Sequence, residues 1–321
     1  MLNKIEKICL IGVGGVGGFF GGMLTKANLD ITFVARGTHF EAIKKNGLTL
    51  KTPNEIFTIK KIKVVNKIPK KSNYDLVLVC VKAHQNVELK GKLSKIIHKN
   101  SIVLSLQNGI DPSEFLKSEV GEKRVLGAFC RILAKKESDG VIVNMGGVEP
   151  TIVFGEWNGT ITNRLKLLKS LFEKVQITNR ISKDIVSAMW RKFIFINTSA
   201  LTVVCRSNYS DLIKIPKTKK VLWKLIDEVY KLGLAMGVNL NDKTVELTMK
   251  AIKAIDKNKT VSLQRDFKNN RESELDFQNG TVVRLAKKYG VKCSINETIY
   301  ACLLPLQKAI KEKNRNFKYN I

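Results

Sequence analysis

A six-residue turn near the start constrains this chain more than any other feature. Lys7 to Val13 reads KICLIGV, a short apolar and β-branched run of the kind that forms a strand buried on both faces. It runs into Gly12-Val13-Gly14-Gly15-Val16-Gly17, a G-x-G-x-x-G that opens a helical stretch from Gly14 to Asn28. The first glycine suits a tight turn, the second lets backbone approach a pyrophosphate, and the third lets the helix pack on the strand. The free N–H groups and positive dipole end of that helix would then meet the pyrophosphate. Placed between a strand and a helix, the pattern predicts dinucleotide binding; the plainer alternative is a glycine-rich packing turn with no ligand.

The first half continues the alternation. Ile31 to Ala35 reads as a second strand, and Thr38 with Glu41 as a capping box opening a short helix that stops at Asn46-Gly47. Residues 48–65 alternate weakly, as edge strands do. Asp75 to Val81 (DLVLVCV) and Ser101 to Leu106 (SIVLSL) are further buried strands, separated by a helical stretch from His84 to Lys99. Residues 124–154 hold short strand-like segments with glycine breaks. This order predicts an α/β fold with a parallel sheet covered by helices on both faces. Near residue 180 the pattern turns helical: Ser182 to Val204, Lys217 to Met236, Asp242 to Ile255, Glu274 to Lys288 and Ser294 to Lys311. We therefore expect a Rossmann-type domain over residues 1–180 and a mostly α-helical, substrate-binding and catalytic domain over 181–321.

Cofactor choice in such a domain is written at the end of the second strand. An acid there would hold a ribose 2′-hydroxyl; this chain has Ala35-Arg36-Gly37, and a guanidinium suits a 2′-phosphate instead. NADP(H) is the expected cofactor, with Arg36 discriminating; a solvated arginine is the alternative. Lys82 ends the Asp75–Val81 strand, and Gln107-Asn108-Gly109 ends the next. Ligands bind at the carboxyl ends of strands, so Lys82 and Asn108 are placed to meet cofactor or substrate, unless they are polar turn residues.

Lysine and arginine total 56 against 28 acids, a net charge of +28. That balance raises a nucleic-acid or anionic-membrane partner. The lysines are scattered, however (Lys60, Lys61, Lys63, Lys219, Lys220, Lys287, Lys288), with no run of five or six and no zinc-finger or aromatic-interleaved motif. Solvated faces are the favoured reading, and Lys308 to Lys318 reads as a basic, frayed tail. Six cysteines (Cys9, Cys80, Cys130, Cys205, Cys293, Cys302) form no C-x-x-C pair, and three histidines (His39, His84, His98) show no ligand spacing, so neither a disulfide framework nor a metal site is expected. No apolar stretch reaches the roughly 18 residues of a membrane span, and no signal peptide is seen, so a cytoplasmic protein is expected.

One lysine is unusual. Trp190-Arg191-Lys192-Phe193-Ile194-Phe195-Ile196 puts Lys192 at the head of an apolar helical segment, with Ile196 and Ser199 on the same face. Partial burial would lower the pKa of such an ammonium towards the range of a general acid, unless the side chain snorkels. Glu274 is the candidate acidic partner, and otherwise a plain first-turn acid favoured by the helix dipole.

Taken together the chain resembles the ketopantoate reductase (2-dehydropantoate 2-reductase) family over nearly its whole length. The resemblance rests on the G-x-G-G-x-G turn, Val81-Lys82-Ala83-His84-Gln85, Gln107-Asn108-Gly109, W-x-K-F at residues 190–193, Ser262 with Asp266, and E-x-D-x-x-N-G from Glu274 to Gly280. It implies hydride transfer from NADPH to C2 of a 2-oxo acid in pantothenate synthesis, with Lys192 donating the proton. It implies further that Asn108 contacts cofactor and substrate, that Ser262 binds the substrate carboxylate, and that Glu274 positions the lysine or cofactor. Members of the family carry asparagines four and eight residues after this lysine. Here those positions are Ile196 and Ala200, Ser199 matches the second with a one-residue shift, and Asn197 points off that face. The alternatives are a reductase of another 2-oxo acid or a non-catalytic nucleotide- or nucleic-acid-binding protein. Whether the chain forms a homodimer is left open.

Overall fold

The computed structural model describes residues 2, 4–256 and 259–313. The chain divides into two compact units. The first is Met1–Gln107 with Pro112–Ile185, and the second is Asn108–Asp111 with Val186–Ile321. The sequence placed a division near residue 180 and gave no hint that four residues around Asn108 belong with the second half.

The first unit holds strands β1 (Lys7–Ile11), β2 (Asp30–Val34), β3 (Leu48–Lys51), β4 (Ile56–Ile59), β5 (Lys63–Val65), β6 (Tyr74–Val79), β7 (Ile97–Ser105), β8 (Val125–Arg131), β9 (Ala134–Ser138), β10 (Val141–Asn144), β11 (Thr151–Gly155) and β12 (Thr178–Ile181). Its helices are α1 (Gly15–Leu24), α2 (Gly37–Asn46), α3 (Asp111–Val120) and α4 (Asn163–Lys174). Eight strands form one sheet in the order β12-β11-β8-β7-β6-β1-β2-β5. All pairs are parallel except β8 with β11. Alternate residues of the central strands face opposite ways, and both sets are buried. Ile8, Leu10, Leu76 and Leu78 join a core with Phe19, Phe20 and Leu24 of α1 and Leu165, Leu168 and Phe172 of α4. Cys9, Ile11, Val77 and Val79 join another with Leu89, Leu93, Leu116 and Val120. Two-sided burial is why these strands read as continuous apolar runs rather than as alternation. A second sheet, β4-β3-β10-β9, lies against α1. Gly18 and Gly22 allow the approach, since a Cβ there would sit 2.5 Å from Ile142 and 2.2 Å from Leu50.

The second unit is helical: α5 (Ile185–Asn197), α6 (Ser199–Val204), α7 (Tyr209–Lys214), α8 (Pro216–Ala235), α9 (Thr244–Lys253), α10 (Ser262–Lys268), α11 (Asn279–Tyr289) and α12 (Ser294–Lys311). Trp190, Phe193, Leu225, Val229, Phe267, Leu275, Val282 and Leu303 share its core. The fold of both units is the expected one: an α/β unit with a mainly parallel sheet, then a helical unit.

Several local expectations are corrected. His84 to Lys99 is not an α-helix but two 3-10 turns, Ala83–Leu89 and Leu93–Lys95. Gly91 between them has φ +67°, a left-handed conformation that ends a helix. Thr38 does not cap α2, which already begins at Gly37 with Arg36 as its uncapped N-cap. The stretch Ser182 to Val204 breaks at Thr198, whose hydroxyl donates to the Phe195 carbonyl (2.6 Å). Glu274 opens a 3-10 turn, Leu275–Phe277, and not α11, because Gln278 (φ −110°, ψ −95°) interrupts the helix. Of the expected basic tail, Lys308 and Lys311 lie in α12, and residues 314–318 lie outside the described residues.

Candidate functional site

In the first unit the glycine-rich turn leaves the carboxyl end of β1, the neighbour of both β2 and β6. Gly12 has φ +97°, and a Cβ there would meet the backbone of Val81 at 2.7 Å and of Cys80 at 2.9 Å. Gly17 sits where a Cβ would lie 2.0 Å from the Gly12 carbonyl oxygen. Gly14 is different: it is the N-cap of α1, and a Cβ there would meet nothing within 4 Å. Gly12 and Gly17 are therefore required by packing, whereas Gly14 keeps an open approach to the first turn of α1, whose N–H groups receive no side-chain cap. Gly15, packed on the Ala134 carbonyl, the buried Val13 and the half-buried Val16 complete the turn. That open cradle, with orphan helix donors aimed at it, fits a pyrophosphate.

A buried histidine holds the turn. The Gly140 N–H donates to His39 Nδ1 (3.0 Å), so the ring proton is on Nε2, which donates to the Val13 carbonyl (2.7 Å). Burial lowers the His39 pKa; the Val13 bond and Asp139 oppose that, and Lys136 adds to it. Both nitrogens are engaged in the neutral ring, so this histidine is a positioning residue that the absence of ligand spacing in the sequence did not reveal.

Arg36 follows β2 as expected and is half-exposed, but its guanidinium is ion-paired with Glu88, which is equally exposed. Glu88 comes from the 3-10 turn after β6, on the far side of β1. Lys82 is the half-buried N-cap of that same turn, and its N–H donates to Gln85 Oε1 (3.2 Å). Buried Gln107 ties the neighbouring strand ends together by donating to the Val81 carbonyl (2.9 Å) and Asn86 Oδ1 (2.7 Å).

In the second unit Asn108 Nδ2 donates to Oε2 of buried Glu274 (3.1 Å), joining residues 166 apart. Asp111 completes the attachment of this short segment, accepting from Thr281 Oγ1 (2.5 Å) and Arg284 (3.0 Å). Glu274 is held from behind. The hydroxyl of buried Ser273 donates to Gln307 Oε1 of α12 (2.8 Å), and Gln307 Nε2 donates to the Ser273 carbonyl (3.2 Å). Lys192 lies half-buried on α5. The end of that helix and the start of α6 both meet the Glu274 segment: Asn279 Nδ2 donates to the Asn197 carbonyl (3.2 Å), and Ser199 Oγ donates to Gln278 Oε1 (3.2 Å). Ser199 also donates to the Ile196 carbonyl (2.6 Å), so its hydroxyl is engaged within the protein. Asn197 is fully buried, its amide donating to the Phe193 carbonyl (2.7 Å), while Ile196 is half-buried and Ala200 buried. Half-buried Ser262 opens α10, which packs on α6. The structure thus joins Asn108 to Glu274 directly and sets both in the unit that carries Lys192, Ser199 and Ser262. Among the described residues no group of histidine, cysteine and acidic side chains is placed to hold a metal ion. No helix among them is long and apolar enough to cross a membrane.

Two family models match the chain. One described as ketopantoate reductase PanE/ApbA matches residues 8–159, and one described as its C-terminal part matches residues 184–307. A Bacillus subtilis protein named uncharacterized oxidoreductase YkpB is 27% identical over 300 residues, covering 92% of this chain and 97% of that protein. A 2-dehydropantoate 2-reductase from a Nostoc species is 26% identical over 315 residues, covering 97% of each. Among solved structures, a D-mandelate dehydrogenase with NADH and anilino(oxo)acetate superposes with a TM-score of 0.87 at 21% identity, covering 95% of this chain and 99% of that one.

Proposed function

Because this chain belongs to the ketopantoate reductase family, we propose that it is an NADP-dependent oxidoreductase that reduces the ketone of a 2-oxo acid, 2-dehydropantoate first among them. The observation that carries this reading is the Asn108–Glu274 hydrogen bond, which unites two family motifs far apart in sequence. When bound, NADPH supplies the hydride. The first unit's part is to cradle the pyrophosphate at Gly14 and the α1 N-terminus and to meet the 2′-phosphate with Arg36, with Lys82 beside them at the strand ends. The second unit's part is chemical. Negative charge grows on the carbonyl oxygen during reduction, and the Lys192 ammonium stabilises it and then gives it a proton. Asn108 and Ser262 orient the substrate, and Glu274, fixed by Asn108 and by the Ser273–Gln307 pair, positions the reacting groups. The fit of these residues to the family's motifs supports this reading.

A second reading has its own observation. Ile196 and Ala200 offer no side-chain hydrogen bond where the family places asparagines, and the amide nitrogen of buried Asn197 is turned to the Phe193 carbonyl. A site without partners for a substrate hydroxyl discriminates poorly in its favour, so a 2-oxo acid with an apolar side chain competes with ketopantoate. The D-mandelate dehydrogenase of the same fold holds NADH and anilino(oxo)acetate. Loss of nicotinamide absorbance with NADPH decides the matter, comparing ketopantoate with pyruvate, 2-oxoisovalerate and phenylglyoxylate. A clear preference for ketopantoate supports the first reading, and a preference for an apolar acid supports the second. No oxidation with any acid removes both.

A further inference from the structure

The end of the second strand, where a cofactor-discriminating acid is expected, carries Arg36 and no acid. The structure brings one in from elsewhere. β1 lies between β2 and β6, with the glycine-rich turn at its carboxyl end. Arg36 follows β2 and Glu88 lies in the turn after β6, so their ion pair reaches across the end of β1. Both side chains are 49% exposed. An ion pair this exposed adds little to the stability of the fold, and its position beside the cradle gives it another consequence. The guanidinium that would take a 2′-phosphate already has an anion. A phosphate arriving there must share Arg36 with Glu88 or displace it, and it meets Glu88 as a like charge. A free ribose 2′-hydroxyl meets no such repulsion, and a carboxylate accepts its hydrogen bond.

We propose that Glu88 is a specificity-determining residue of the cofactor site, holding Arg36 so that the preference for a 2′-phosphorylated dinucleotide is weaker than Arg36 alone would give. This rests on the reading of the first unit as a nicotinamide-dinucleotide site.

The test is binding rather than turnover. Nicotinamide fluorescence of the full chain is titrated with NADPH and with NADH, and 2′,5′-ADP and 5′-ADP serve as competitors. Glu88→Gln should tighten NADPH and 2′,5′-ADP by about three- to fivefold, as expected for removing one charge at an exposed site. NADH and 5′-ADP should stay within about twofold or weaken. In the Arg36→Ala background the same Glu88→Gln change should give a smaller gain for NADPH, because only the direct like-charge repulsion is then relieved. An unchanged NADPH to NADH ratio in Glu88→Gln, or a gain undiminished by removal of Arg36, overturns the proposal while leaving the cofactor reading intact. If the wild-type chain binds neither dinucleotide, the cofactor reading itself falls and the role of Glu88 falls with it.

Discussion

Two alanine substitutions in one turn should separate ligand binding from folding. Gly12 and Gly14 belong to the same motif, yet their surroundings differ. At Gly12 an alanine adopts φ +97° and drives its Cβ to 2.7 Å from the Val81 nitrogen and 2.9 Å from the Cys80 carbonyl carbon. Those neighbours are backbone atoms at the end of β6 and cannot rotate away. The conformational cost is about 1–2 kcal/mol and the overlap about 1–3 kcal/mol. A loss of about 2–5 kcal/mol lowers Tm by roughly 5–15 °C for a unit of this size. At Gly14 the added methyl meets nothing within 4 Å, and the helix loses only a modest N-cap preference, below about 1 kcal/mol. The same methyl stands where a pyrophosphate must approach the α1 donors, and losing one charge-assisted hydrogen bond costs about 1.5–3 kcal/mol, or roughly 10- to 150-fold in NADPH affinity. Thermal unfolding of both variants, paired with NADPH titration, reads the two effects. Wild-type affinity in Gly14→Ala, or wild-type Tm in Gly12→Ala, refutes the division of labour.

Lys192→Ala should lower kcat by about 10²- to 10⁴-fold, the usual worth of a positioned proton donor, while NADPH binding is retained; near-normal turnover removes Lys192 from the chemistry. His39 should make the first unit acid-sensitive. Its folded-state pKa lies below the ordinary 6.5, so between those two values the unfolded chain binds more protons, and stability falls as pH drops through that window. The difference in Tm between wild type and His39→Gln should therefore narrow from pH 7 to pH 5, and a difference independent of pH contradicts the buried neutral ring.

What the sequence reveals and conceals follows from the range of the interactions. The glycine turn is legible because its demands are local: adjacent residues supply the turn, the open cradle and the helix start. β1, β6 and β7 are legible because burial on both faces leaves an unbroken apolar run. α12 is legible to the residue, since Ser294 to Lys311 keeps one amphipathic period even through Pro305. The 3-10 turns after Lys82 are not legible. Leu89, Leu93 and Ile96 mimic helical spacing, and only contact with the sheet shows how they are placed. The parts of the site that sequence reading missed act over distance. His39 reaches Gly140, 101 residues on, Glu88 reaches Arg36 across 52, and Ser273 reaches Gln307 across 34. Histidine, glutamate, serine and glutamine look like ordinary surface residues until the fold supplies their partners.

The short excursion of Asn108 to Asp111 out of the first unit has a consequence for how the protein is made. During synthesis these four residues leave the ribosome long before Glu274, Thr281 and Arg284, to which they bond. The centre of the first unit's sheet can form early, because β1, β2, β6 and β7 have all been made by residue 105. The helical unit cannot be finished until nearly the whole chain has emerged. A fragment beginning at residue 186 would also lack the donor to Glu274 and the carboxylate that meets Arg284. The helical half is therefore not a portable cassette: a gene fusion or truncation made at the obvious junction would sever the strand of chain that furnishes Asn108.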